Sequence, residues 1–280
     1  MPSGITDEWR ARARQFTEAW YGRHIDAPIF AGRCEGEWSK GAAVADSVNA
    51  AGRSASVYVL ADADSVLHNP DDLKTAIARV VEGKAKWAVP HRRVYRLNAK
   101  ESRRLADDPT ATARLGWTCR PMYYAVPGGG ITVVSRAAFE AVGGIDARFV
   151  GWGGEDLVFG WALDTLVGER WDGDGQLVHL WHPHPAPNLR GSPASEDLVA
   201  SYRSARGVRR RMQAVVDGDR WWPAEPLPAL VRFRMTANRD TIRLASGEVV
   251  RFKQGTFETA DPDVAEQLRT YQIVREEALR

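Results

Sequence analysis

Ser56-Val57-Tyr58-Val59-Leu60-Ala61-Asp62-Ala63-Asp64 is the stretch on which the fold turns. Six uncharged residues, mostly β-prone, run without a break into two aspartates separated by one residue. A continuous apolar run of this length suits a strand buried on both faces, so a central parallel strand is expected here. Its abrupt acidic end has a second meaning. In open α/β sheets, ligands bind beyond the carboxyl ends of the strands.

Upstream, Trp9, Ala13, Phe16 and Trp20 recur at helical spacing and predict an amphipathic helix over 6–22. Pro28 to Ala31 is a short strand candidate, and Ser39 to Ala51 a second helix rich in Ala and Val. Downstream, Asn69-Pro70-Asp71-Asp72 carries an N-cap, a first-position proline and first-turn acids. Leu73, Ile77 and Val80 mark the buried side of that helix, and Gly83 ends it. Trp87 to Val89 reads as another strand, and residues 116–135 as extended, interrupted by Pro127-Gly128-Gly129-Gly130. Arg136 to Val142 is a short helix closed by Gly143-Gly144, and Trp152-Gly153-Gly154-Glu155-Asp156 opens a helix through about Val167. Gln176 to Trp181 is a strand running into His182-Pro183-His184, and 194–217 is helical. The alternation is that of a sheet covered by helices.

The texture changes after the proline-rich stretch Trp221 to Pro228. Leu230 to Met235, Thr241 to Leu244 and Val249 to Phe252 alternate, with Ser246-Gly247 as a turn signal. A helix containing Val264 and Leu268 follows. The expected organisation is an α/β domain over 1–206, a helical and proline-rich linker over 207–228, and a small β-hairpin plus helix module over 229–280.

Composition narrows the classes of function. The chain has 280 residues, 38 Lys+Arg against 36 Asp+Glu, and 44% hydrophobic residues. Near-balanced charge argues against duplex DNA or an anionic membrane as the main partner. Two cysteines, Cys34 and Cys119, lack metal-site spacing and read as reduced thiols. No apolar stretch approaches the ~18–20 residues needed to cross a bilayer, and the first residues lack a signal-peptide apolar core. A cytoplasmic protein without membrane insertion is therefore expected. Eleven tryptophans are many, and a broad apolar face with an N–H suits sugar rings and bases.

Four constellations carry chemistry. Asp62 and Asp64 can share a hard divalent cation at the end of their strand, although acids after strands also serve as plain loop solubilisers. Glu155 and Asp156 fall in a helix first turn, where the dipole favours carboxylates. There an ionised carboxylate can accept a proton from a hydroxyl, or simply cap the helix. His179, His182 and His184 are three of six histidines. Alternation along a strand points His179 away from His182, so a single imidazole supplementing Asp62 and Asp64 is expected, as a borderline cation accepts. Trp38-Ser39-Lys40-Gly41 opens a helix and suits a phosphate, or is an N-cap followed by an exposed lysine.

In this order the four motifs resemble GT-A-fold glycosyltransferases of the family-2-like group. The similarity is to β-1,4-galactosyltransferase and chondroitin-polymerase types, and to small bacteriophage-encoded glycosyltransferases, over about residues 5–206. The resemblance implies a GT-A-type, Rossmann-like mixed sheet with flanking helices, followed here by the small β-rich module. It implies that Asp62 and Asp64 bind Mn2+ (or Mg2+) and the diphosphate of a UDP- or GDP-linked sugar. His182 would complete the metal shell, with His179 as substitute, and Lys40 would lie near the nucleotide. Asp156 would be the base that deprotonates the acceptor hydroxyl, and Glu155 would hold sugar hydroxyls. Gly128, Gly129, Gly130 and Trp152, with Gly153 and Gly154, would line the acceptor cleft. The acceptor is a glycan, a protein or a modified base. The Asp directly after Glu155 favours inversion over retention.

Members of the group usually open with a strand that lines the nucleoside pocket. Only Met1 to Ile5 precede the first helix here, so either this start is a late one or that strand is missing. Two other readings stand beside this one. The first is a non-catalytic carbohydrate-binding or virion-associated protein using its tryptophans as platforms. The second is a nucleotidyltransferase on a related sheet.

Overall fold

The fold is that of a computed structural model. It describes residues 8–52, 55–115, 119–124, 128–183, 192–218, 231–237, 240–245, 249–259 and 262–277, with the side chains of 119–124, 262 and 263 excluded. The N-terminal five residues, His184, the 221–228 stretch and the Ser246-Gly247 turn lie outside the described residues. The chain divides into two compact units, Met1–Val199 and Ala200–Arg280.

In the first unit the order is α1 (Glu8–His24), α2 (Lys40–Ala51), β1 (Val57–Ala61), β2 (Ser65–Leu67), α3 (Pro70–Val81), β3 (Trp87–Leu97), α4 (Ala99–Asp107), β4 (Cys119–Tyr124), β5 (Ile131–Ser135), α5 (Arg136–Ala141), α6 (Glu155–Leu166) and β6 (Trp171–His179). Helix α7 (Pro193–Ser204) runs across the division.

The six strands form one mixed sheet in the order β1-β5-β3-β6-β2, with β4 on the remaining part of β3. β3 and β6 are parallel, whereas β1–β5, β3–β5, β3–β4 and β2–β6 are antiparallel. The expected mixed sheet with flanking helices is therefore present. α3 packs across β3, β5 and β6, and α1 lies against α4 and β2. Leu67, Leu73, Leu97, Leu105, Ile131 and Leu180 are among the side chains sealed in this core.

Local signals explain most boundaries. Asn69 accepts a hydrogen bond from the Asp71 amide and starts α3 at Pro70. Ser39 does the same for α2 through the Ala42 amide, and its hydroxyl donates to the Ala147 carbonyl at 3.0 Å. That second bond ties the start of α2 to the segment just before the Trp152 loop.

Three expectations are corrected. β1 is not a central parallel strand: it is antiparallel to β5 and stands at the end of the strand order among the described residues. Its apolar run reflects the helix and cavity beside it rather than two flanking strands. Pro28 to Ala31 forms no strand. The strand read as Gln176 to Trp181 runs from Trp171 to His179, so its end falls at the first of the histidines.

In the second unit, α8 (Arg209–Val216) precedes β7 (Val231–Met235), β8 (Thr241–Arg243), β9 (Val249–Arg251), β10 (Thr256–Thr259), α9 (Pro262–Arg269) and β11 (Val274–Glu277). β7 is flanked by β10 and β11, and β8 pairs with β9. Phe233, Met235, Ile242, Phe252 and Leu268 form a core of their own. Across the other face of the three-stranded sheet, Arg232 pairs with Glu258 at 2.7 Å and Arg234 with Glu277 at 2.5 Å. A small β-rich module follows the larger sheet, as expected.

Candidate active site

The site is built at the ends of β1 and β6. β1 stops at Ala61, and the Asp62 amide donates to the Gly130 carbonyl at 3.0 Å, which holds the chain beside the start of β5. The turn closes with the Ser65 amide on the Asp62 carbonyl at 3.1 Å, and β2 then pairs with the end of β6. Ser65 faces His179 in that register, and the Leu180 amide donates to the Asp64 carbonyl at 2.8 Å. Asp64 and the histidines are thus brought together by main-chain pairing.

His182 Nε2 lies 3.2 Å from Asp64 Oδ2, and His179 Nε2 lies 3.7 Å from Asp64 Oδ1. One ligand atom from each of the three falls within 4.8 Å of the others, the one such group among the described residues. Both imidazoles are oriented by main chain: Nδ1 of His179 meets the Leu180 carbonyl at 2.7 Å, and Nδ1 of His182 meets the Pro183 carbonyl at 2.8 Å. A carbonyl only accepts, so each Nδ1 carries a hydrogen, and Nε2 is the ring nitrogen that each histidine turns toward Asp64 and could offer to a cation. That arrangement orients metal-binding histidines. Burial works to raise the Asp64 carboxyl, but His179, His182 and Arg10 hold it well below the usual carboxylate range. One carboxylate oxygen and two imidazole nitrogens fit a borderline divalent cation such as Mn2+.

Both histidines therefore join Asp64, where one was expected. Alternation fails as a guide because β6 ends at His179, and the chain beyond it no longer follows a period of two. Asp62, expected beside Asp64 on the metal, is engaged elsewhere. Lys40 Nζ lies 2.5 Å from Asp62 Oδ1 and 2.6 Å from Asp156 Oδ1. Lys40 is the first residue of α2, Asp62 follows β1, and Asp156 sits in the first turn of α6. Three elements thus meet at one ammonium.

The charges of this trio are coupled. Burial opposes the Lys40 charge, yet Asp156, Asp62 and Glu155 raise its pKa well above the ordinary lysine value. Burial pushes the Asp156 carboxyl up to about 7; Lys40 pulls against this, while Asp62 and Glu155 add to it. Asp156 is thereby poised to exchange a proton near neutrality, as a general base requires.

Glu155 is 7% exposed, and its Oε2 accepts the Gly153 amide at 3.0 Å. The capping residue Gly154 has no side chain to do this, so Glu155 closes the loop from inside the helix. Trp152 is 49% exposed and borders the cavity.

The glycines play a different part from lining the cleft. Gly128 and Gly129 are buried, and a Cβ at Gly128 would sit 2.4 Å from the Asp156 carbonyl oxygen. A Cβ at Gly129 would lie 3.3 Å from Asp156 Oδ2, and one at Gly130 would meet Leu177 and His91. This triplet lets the chain pass under the start of α6. Gly153 and Gly154, with φ of 116° and 99°, take the left-handed backbone that the Trp152 loop needs. None of these five borders the cavity.

A cavity of about 520 Å³ joins the two centres. Asp62, Asp64, His179 and His182 border it at one end with Lys40, Trp152, Glu155 and Asp156. It continues along α1, the 27–32 segment and β1. Sequence reading missed Arg10, whose helix looked merely amphipathic, and did not place Lys40 between the two acids.

Residues 113–161 match the family model described as the N-terminal domain of galactosyltransferase, a span that includes the glycine triplet and Trp152 to Asp156. The match covers less than a fifth of the chain. No curated protein matches the sequence. Among solved structures, the catalytic domain of Drosophila beta1,4galactosyltransferase 7 in complex with xylobiose is similar at 14% identity. That comparison covers 95% of this chain and 94% of that one, with a TM-score of 0.44. GalNAc-T7 with UDP, GalNAc and Mn2+ is similar at 13% identity over 87% of this chain and 58% of that one, with a TM-score of 0.43. No described helix is long and apolar enough to cross a membrane.

Proposed function

We propose that the protein is a metal-dependent glycosyltransferase that moves a sugar from a UDP- or GDP-linked donor to an acceptor hydroxyl, with inversion. One observation carries this reading: a cluster of one carboxylate and two imidazoles shares a single cavity with a half-buried carboxylate poised near neutrality. The galactosyltransferase family match over 113–161 supports it, because that span supplies Asp156 and its loop.

Asp64, His179 and His182 would hold Mn2+ or a similar ion, which when bound supplies positive charge to a departing nucleoside diphosphate. Asp156 would take the proton of the acceptor hydroxyl on the opposite side of the donor sugar. Lys40 holds Asp156 Oδ1 and fixes the carboxylate for that task. Trp152 offers its face to the acceptor, whether glycan, protein or modified base. The non-catalytic alternative treats Asp156 as a helix cap, but its carboxylate pairs with Lys40 across the cavity.

Thermal unfolding with Mn2+ and UDP or GDP tests the reading. A ligand that binds only the folded chain raises its Tm. Mn2+ with one of these nucleotides is expected to do so, and Asp64→Ala to abolish the rise. A panel of nucleotide sugars should then yield nucleoside diphosphate, and NMR of the product anomer should show inversion. Pyrophosphate release from a nucleoside triphosphate supplied with a sugar 1-phosphate would instead identify a nucleotidyltransferase, and no nucleotide effect with any divalent ion would sink the catalytic reading.

A further inference from the structure

Helix α1 turns an unusual face to the cavity. Arg10, Arg14, Thr17 and Tyr21 recur at intervals of four, three and four residues, which places them on one side of the helix. All four border the cavity. A helix packed on a sheet normally presents an apolar stripe there. Here the side bordering the cavity carries two arginines, a threonine and a tyrosine instead.

Two of the four already have partners. Arg14 donates to Glu18 at 2.7 Å, and the Tyr21 hydroxyl donates to the Ser65 carbonyl at 3.4 Å. The other two make no side-chain hydrogen bond among the described residues. Arg10 makes no hydrogen bond among the described residues, and the group its charge acts on is Asp64, the carboxylate of the metal cluster. Thr17 is only 4% exposed, and its hydroxyl has no partner. A helical threonine ordinarily bonds back to the carbonyl four residues earlier, and a buried hydroxyl left alone is costly. A bound molecule would satisfy both groups.

We propose that α1 is a wall of the donor site, with Arg10 binding the diphosphate of a nucleoside diphosphate and Thr17 hydrogen-bonding its nucleoside. This rests on the glycosyltransferase reading above and assigns residues to its donor. The spacing fits the ligand. Arg10 stands at the Asp64 end, where phosphates would meet the cation. Thr17 is seven residues further along, or ~10 Å at the helical rise, which is the reach from a diphosphate to the far edge of its nucleoside. Guanidinium groups suit phosphate oxygens because two N–H donors lie in one plane. Beyond Thr17, the exposed side chains of Ile29 and Phe30 border the same cavity and offer apolar surface to a base.

Titration calorimetry on the full chain tests this. The probes are Mn2+ alone, Mn2+ with UDP or GDP, and Mn2+ with inorganic pyrophosphate. Arg10→Ala is expected to weaken both nucleotide and pyrophosphate at least tenfold without weakening Mn2+ alone, and Arg10→Lys to recover part of the loss. Thr17→Val is expected to weaken the nucleotide several-fold and leave pyrophosphate unchanged. Arg12, on another face of α1, pairs with Glu8 and Asp107 and serves as the control. Nucleotide affinity unchanged in Arg10→Ala, or an equal loss in Arg12→Ala, overturns the proposal. Equal loss of pyrophosphate in Thr17→Val overturns the nucleoside assignment. If the unmodified chain binds Mn2+ but neither nucleotide, the glycosyltransferase reading itself falls.

Discussion

At the residue scale the site turns on Asp156 and the ammonium that holds it. If Asp156 is the base, as proposed, a carboxyl that titrates near 7 works only when it has lost its proton. Donor turnover is therefore expected to fall as pH is lowered through about 7, and Asp156→Asn to remove at least a hundredfold of it at every pH. Initial rates of nucleoside diphosphate release between pH 5 and 9 check both. Lys40 works against the upward push on Asp156, so Lys40→Met should move the acid limb to higher pH, while Lys40→Arg should leave it nearly in place. If the limb does not move in Lys40→Met, the pairing seen at 2.6 Å does not govern the proton. The sequence announced Asp156 through its place after two glycines and a tryptophan. It could not announce that Lys40, more than a hundred residues earlier, would share its charge between two acids, since no local pattern encodes that pairing.

At the scale of elements, what was legible was whatever a short window determines. The N-caps Ser39 and Asn69 placed α2 and α3 to within a residue, because capping is settled over three or four positions. The neighbours of β1 were not legible. Apolar composition reports burial, whereas strand direction depends on residues 131–135 arriving from far along the chain. The same limit hid the histidine pair, since it was the end of β6 that decided where His182 turns. α4 went unread although Asn98 caps it through the Glu101 amide at 2.8 Å. At the start of α6, Gly128 has φ of 79° and leaves no room for a Cβ against Asp156. Gly128→Ala should thus cost about 2–4 kcal/mol, from left-handed strain plus overpacking. Urea unfolding measures this, and a loss under 0.5 kcal/mol would mean the loop moves aside freely.

At the scale of the whole molecule, stability against acid depends on a group perturbed by burial. His91 is 2% exposed in the middle of β3, and burial lowers its pKa to about 4 from the ordinary 6.5. Between those values the unfolded chain takes up a proton that the folded chain refuses. This contribution to stability is therefore complete above pH 6.5, is lost as pH falls toward 4, and is level below that. Asp156 acts in the opposite direction, since its folded carboxyl keeps a proton up to about 7. The difference between the parent chain and His91→Leu isolates the histidine. Urea midpoints from pH 4 to 8 are expected to drop less on acidification in His91→Leu, and parallel curves would refute the assignment.

Both imidazoles of the Asp64 cluster are steered by the carbonyl of the very next residue. Their aim is thus set by the polypeptide itself through main-chain carbonyls. Over long divergence the surroundings of such a cluster are free to drift in chemical character while its geometry persists. A search for kindred chains should therefore weigh peptide path above side-chain identity around these two histidines.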